Sequence, residues 1–241
     1  MALIPFDDRD GVIWFDGNLV PWRDAKLHVL SHGLHYASCV FEGERVYDGQ
    51  VFKLTEHSER LAHSANVLDY TIPWTLAQID QATRDTVAVN RIKDGYVRTV
   101  AWRGSEMMGV SGQQNKIHLA IATWVWPSYF SAEAKMKGLR LQIADWRRPA
   151  PNTAPTQSKA AGLYMICTLA KHQAERAGYD DAMMLDWRGQ VAEATGANLF
   201  FVRDGKLHTP LPDCFLDGIT RRSMTTIWRL RAMSIDRKST V

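Results

Sequence analysis

Residues 155–164 read PTQSKAAGLY, and Lys159 stands there among small and neutral residues with no acid close along the chain. Taken alone, such a lysine reads as a helix-start residue pointing at water. Two features weigh against that reading. Helical spacing from about Ala160 puts Lys159 at the positive end of a helix dipole, which disfavours its ammonium form. The neighbouring alanines and glycine also leave room for a flat ligand. A lysine amine with a depressed pKa is what a Schiff base to a carbonyl cofactor requires.

Pyridoxal 5'-phosphate is a cofactor of that kind, and it makes two further demands. An acid near its ring nitrogen keeps the pyridinium protonated, so the ring accepts electrons from a substrate carbanion. Its phosphate needs a cradle of N–H groups. The segment VAEATGANLFFV offers Glu193 at a strand end, and LDGITRR offers Gly218, Ile219 and Thr220 at a helix opening. Each has a plainer reading alone, as a surface acid and a capped turn. HVLSHGLHY spaces His28, His32 and His35 as a helix face would for a metal. No fourth ligand stands nearby, so no metal is expected.

The elements that must position these residues mix hairpins and helices. Asp16-Gly17, Asp48-Gly49 and Asp204-Gly205 sit between β-rich runs and read as tight turns, because Asp-Gly tolerates positive φ. TEHSERLAHSANVLD reads as a helix with Thr55 as candidate cap and Leu61, Ala65 and Leu68 on one face. TLAQIDQATRDTVAVNRIKDG opens with Thr75 and Gln78 in capping-box spacing and closes at Gly95. YVRTVAW and IHLAIATWVW read as strands, and strand character stops at about 127–138. LRLQIADW, AMMLDW, LFFV and KLHT are further strands, RRPAPNTAPTQS is a Pro-rich loop, and DGITRRS leads into a helix. The expected fold class is mixed α/β in two domains, 1–128 and 129–241.

Composition narrows the functional classes. The chain has 241 residues, 46% hydrophobic and 23% charged, ordinary for a soluble globular protein. Its best apolar run, IHLAIATWVW, is about half the roughly 20 residues of a membrane helix. The acidic start MALIPFDDRD does not read as a signal peptide. Three cysteines without a CxxC pattern fit reduced thiols and a cytoplasmic location. The net charge of +3 equals that of residues 223–241 alone, so the body carries no basic field for nucleic acid.

Five motifs in order, SHGLHYASCVFEG, EHSERL, SKAAGLY, AEATGANLFF and LDGITRR, resemble the fold-type IV pyridoxal-phosphate enzymes, and most closely the branched-chain amino acid aminotransferases. The resemblance runs from about residue 12 to 222. It implies a homodimer, with amino acids and 2-oxo acids as small-molecule partners. It makes Lys159 the catalytic lysine that binds the cofactor and shuttles a proton at the substrate Cα. Glu193 would hold the pyridine nitrogen, Tyr164 the ring oxygen and Arg60 the phosphate, a natural arginine task. Leu216 would pack on the ring, with Gly218, Ile219 and Thr220 at the phosphate. Tyr96 and Arg98 would bind substrate carboxylates, Arg98 the distal one of glutamate. Phe41, Trp126 and Tyr129 would wall the apolar pocket, while Tyr36 and the loop Met107–Val110 come from the partner subunit. The other tryptophans read as core or interface.

The implied reaction is transamination of leucine, isoleucine and valine with 2-oxoglutarate. Related possibilities are a D-amino acid aminotransferase, an aminodeoxychorismate lyase or an inactive copy. The first usually carries an Arg-x-His trap where this chain reads RGSEMMG. Thr99 stands where the family usually has proline. After Arg222 the resemblance lapses into SMTTIWRLRAMSIDRKSTV, in which Met224, Ile227 or Trp228, and Arg231 extend one helix without a later strand pattern. The expectation is a second domain that lacks its last portion.

Overall fold

The computed structural model describes residues 4–126, 132–230 and 235–236. The contacts divide the chain into two units. One comprises Met1–Ser128 with Ser158–Gly162, the other Tyr129–Gln157 with Leu163–Val241. The lysine segment therefore groups with the first unit, where the sequence had assigned it to the second.

In the first unit the described elements are β1 (Val12–Phe15), β2 (Asn18–Pro21), α1 (His32–Tyr36), β3 (Cys39–Phe41), β4 (Glu44–Tyr47), β5 (Gln50–Val51), α2 (Leu54–Val67), α3 (Leu76–Val89), β6 (Gly95–Arg103) and β7 (Ile117–Val125). The strands form one sheet in the order β2-β1-β7-β6-β4-β5, with β3 also pairing β6. The long β6–β7 pair carries nine registered residues, from Gly95↔Val125 to Arg103↔Ile117. Alternation along β6 divides its chemistry. Val97, Thr99 and Ala101 point into a core with Val40, Val46, Leu61, Ala65, Ile79 and Leu119, which α2 and α3 cover. Tyr96, Val100 and Trp102 join the opposite face with Ile13 and Trp124.

Both Asp-Gly hairpins of this unit form, with φ of 47° and 97° at Asp16-Gly17 and 46° and 75° at Asp48-Gly49. The capping box at Thr75 and Gln78 is complete. Two helix ends differ from the sequence reading. Lys53, in a left-handed conformation, occupies the cap of α2, and Thr55 Oγ1 donates instead to Asp80 Oδ2 at 2.7 Å. Helix α3 stops at Asn90, and Gly95 already belongs to β6.

The second unit contains α4 (Ala132–Lys137), β8 (Leu141–Ile143), α5 (Met165–Arg176), β9 (Asp181–Leu185), β10 (Val191–Ala194), β11 (Phe201–Arg203), β12 (Lys206–His208), α6 (Ile219–Leu230) and β13 (Ile235–Asp236). Sheet β10-β9-β8 packs on α5 through Ala144, Cys167, Ala170, Ala174 and Met184. A second sheet, β11-β12-β13, holds the third Asp-Gly turn. Here β13 pairs in parallel with β12, a strand the tail's sequence did not announce. The helix expected from Ala160 begins as a 3-10 turn at Ala161–Tyr164 before α5 takes over.

Candidate active site

Lys159 is half-buried and held by its backbone on two sides in the first unit. Its N–H donates to Ser64 Oγ at 2.9 Å, and its carbonyl accepts the Phe41 N–H at 3.2 Å. The bridge between Val40 and Ala160 continues the contact with β3. Its Nζ lies 4.8 Å from the Phe41 ring centroid, and Arg98 Cζ lies 4.6 Å from the same ring and 5.6 Å from that of Tyr96. Tyr96 packs on Trp124 and Trp126 at 5.3 and 5.5 Å. A Cβ on Gly43 would fall 1.9 Å from Tyr96 Oη, so the glycine makes room for the phenol. Arg98 also borders a cavity of about 320 Å³ on this face, between Ile13, Phe15, Leu34, Val100 and Ala122.

Arg60 lies one helical turn before Ser64 on α2 and is gripped by Glu42. Its Nε and Nη2 each donate to a different Glu42 oxygen at 2.7 Å. His57 Nδ1 meets Glu42 Oε2 at 2.6 Å. Burial alone would raise the Glu42 pKa, but the bonds from Arg60 and His57 and the charges of Arg60 and Lys159 bring it down to about 2. Glu42 is therefore an ionised clamp. Arg60 keeps Nη1 without a hydrogen-bond partner among the described residues, the donors an incoming anion would use.

Tyr36 and the loop Met107–Val110 come together around His32. The His32 ring lies tilted against Tyr36, centroids 4.6 Å apart, and its Nε2 meets the Gly109 carbonyl at 2.9 Å. Asn115 closes the loop by bonds to Gly104 and to both backbone groups of Met107. Met107 and Tyr36 are exposed, and Val110 is 86% exposed. The three histidines of this region do not converge: His28 accepts the Leu30 N–H and His35 meets the Val29 carbonyl.

In the second unit, Glu193 leaves β10 with Arg148 beside it, Nε to Oε1 3.4 Å. Both side chains are largely buried, and Arg148 also donates to the Leu163 carbonyl at 3.2 Å. Tyr164 directly precedes α5 and packs against its core. Gly218 precedes α6, which Ile219 and Thr220 open, and the Arg222 N–H closes onto the Gly218 carbonyl. A Cβ at Gly218 would fall 2.0 Å from Asn198 Oδ1. Leu216 is partly buried just before this turn. Tyr129, the remaining expected pocket residue, lies outside the described residues. Glu42, His57, Ser64 and Arg148 escaped the sequence reading. Only the FEG and EHSERL motifs that contain Glu42 and His57 gave a signal.

The profile of the class IV amino-transferases matches residues 39–239, past the point where the motifs give out. The chain belongs to this family. Within it, the branched-chain-amino-acid aminotransferase of Pseudomonas aeruginosa is 42% identical over 224 residues, 91% of this chain and 73% of that protein. That of Escherichia coli is 40% identical, over 87% of this chain and 70% of its own. Among solved structures, a T.th. branched-chain amino acid aminotransferase with pyridoxamine 5'-phosphate superposes with a TM-score of 0.91 at 39% identity, covering 95% of this chain and 76% of that one. The enzyme of Thermoproteus uzoniensis with norvaline gives 0.91 at 35% identity, covering 97% and 79%. The chain thus spans about three quarters of the length of these relatives.

Proposed function

We propose that this chain transfers the amino group of leucine, isoleucine or valine to 2-oxoglutarate, giving branched-chain 2-oxo acids and L-glutamate, with pyridoxal 5'-phosphate as cofactor. The observation that carries the reading is the Phe41 ring, faced by the Lys159 amine and the Arg98 guanidinium. An aromatic wall with a guanidinium suits a pocket that takes an apolar side chain in one half-reaction and a carboxylate in the other. The names of the relatives and the ligands of the solved ones support the same substrate class and cofactor.

The residues fit the cofactor: the Nη1 donors of Arg60 suit a phosphate, and Glu193 is a carboxylate with a guanidinium neighbour. Pyridoxal phosphate, when bound, supplies an aldehyde for the lysine amine and a ring that accepts electrons from the substrate Cα. Lys159 Nζ takes and returns the Cα proton. Arg60 would bind the phosphate, and the N–H groups of Gly218, Ile219 and Thr220 would donate to it. Glu193 would hold the ring nitrogen and Tyr164 the ring oxygen, and Leu216 would pack on the ring. Tyr96 and Arg98 orient the substrate carboxylates, Arg98 taking the distal one of glutamate. Phe41, Trp126 and Tyr129 exclude water from the side-chain pocket. The working form is a cytoplasmic homodimer whose second copy lends Tyr36 and the loop Met107–Val110. No described helix is long and apolar enough to cross a membrane.

Mixing the purified protein with pyridoxal phosphate should produce a visible absorption band that Lys159→Ala lacks, and L-leucine should then be consumed with 2-oxoglutarate. No band in the native protein would sink the cofactor assignment. Activity on D-alanine with L-leucine inert would overturn the substrate assignment.

A further inference from the structure

Ser64 is a fully buried serine near the end of α2, where alanine would be the better helix former. Its hydroxyl accepts the Lys159 N–H at 2.9 Å, and its carbonyl accepts the hydroxyl of Ser158, also buried, at 2.9 Å. That carbonyl is open to a second donor because the helical partner, the Leu68 N–H, sits 3.3 Å away and is shared with Ala65 at 3.0 Å. The lysine carbonyl is taken from the other side by Phe41. Both backbone polar groups of Lys159 are thereby fixed, which sets the point from which its side chain extends. Four residues earlier on the same helix face stands Arg60.

We propose that Ser64 is a positioning residue for Lys159: the clasp Ser64–Ser158–Lys159 fixes the lysine Cα to the helix that carries Arg60, so the amine and the anion-binding guanidinium keep a constant separation. The proposal rests on Lys159 being the cofactor lysine. Ser64 touches neither cofactor nor substrate and acts only through the lysine backbone.

Two probes separate its effect from general stability: pyridoxal 5'-phosphate, and pyridoxine 5'-phosphate, which has an alcohol in place of the aldehyde. The alcohol reports the phosphate and ring contacts, whereas the aldehyde also reports the lysine. Wild type should prefer the aldehyde, and Lys159→Ala should lose that preference. Ser64→Ala should bind the alcohol within about twofold of wild type and lose roughly tenfold for the aldehyde, the magnitude of one hydrogen bond. Ser158→Ala, which leaves the Lys159 bond to Ser64 in place, should shift the same ratio in the same direction by less. An unchanged aldehyde-to-alcohol ratio in Ser64→Ala overturns the proposal, and so does an equal loss for both probes, which marks a merely structural serine. A wild type without preference for the aldehyde instead removes the reading of Lys159 itself, and the clasp falls with it.

Discussion

Tyr96 occupies the space a side chain at position 43 would need, so Gly43 answers to a phenol more than 50 residues away. The ring cannot swing aside freely, since Trp124 and Trp126 flank it. Gly43→Ala should therefore cost about 1–3 kcal/mol, the usual penalty of overpacking, and raise KM for leucine by displacing Tyr96. Thermal unfolding and steady-state kinetics check both effects. Adding Tyr96→Phe removes the clashing oxygen and leaves Cζ at 2.9 Å from the new Cβ, so it should restore part of the lost stability; a double variant no better than Gly43→Ala would refute the steric account. At this scale the sequence was partly legible. Lys159, Glu193 and Arg60 are visible as types in motifs. The groups that hold two of them, Glu42 on Arg60 and Ser64 on Lys159, depend on contacts spanning 18 and 95 residues, which no local pattern encodes.

At the scale of elements, a polar layer lies between the sheet and its covering helices. Glu44 on β4 is 3% exposed, its Oε1 accepts the Thr99 hydroxyl of β6 at 3.1 Å, and its Oε2 has no hydrogen-bond partner among the described residues. Burial first, then the charge of Glu42, push its pKa up to about 8; Asp80 adds to this, while Thr99 and Arg60 oppose it. Glu44 is thus a neutral acid over much of the physiological range. Its native pKa lies above the unfolded value of 4.5, so the stability it contributes is full below about pH 4.5 and is lost as pH rises through about 8. Relative to Glu44→Gln, wild type should lose on the order of a few kcal/mol across that window. Urea unfolding at several pH values measures this, and parallel curves for the two proteins would sink it. Element boundaries were legible where local chemistry decides them, as at the Asp-Gly turns and the Thr75 capping box. They were missed where tertiary partners compete: Thr55 serves Asp80 rather than its own helix.

At the scale of the whole molecule, the first unit displays Leu27, Val29, Leu30, Leu34 and Val110 to solvent, apolar surface of the kind that the proposed homodimer would cover. Under the homodimer reading, Leu34→Asp should weaken association at least about tenfold, since an unpaired charge enters an apolar interface. Sedimentation at micromolar concentrations checks it, and an unaltered dimer would place the interface elsewhere. Fold class was legible because hairpin and helix signals alternate along the chain. The attachment of Ser158–Gly162 to the first unit was not, because it is made by hydrogen bonds to α2 and β3 rather than by any pattern in the segment.

Helix α2 carries Arg60 and, one turn on, the serine that receives Lys159. The two tasks consequently share a single mechanical fate. A rotation of α2 by even part of a turn would carry the arginine and the lysine's anchor off together, so no drift in this helix can improve one at the other's expense. Variation around the site should then be tolerated in the strands that face α2 before it is tolerated in the pitch of α2 itself.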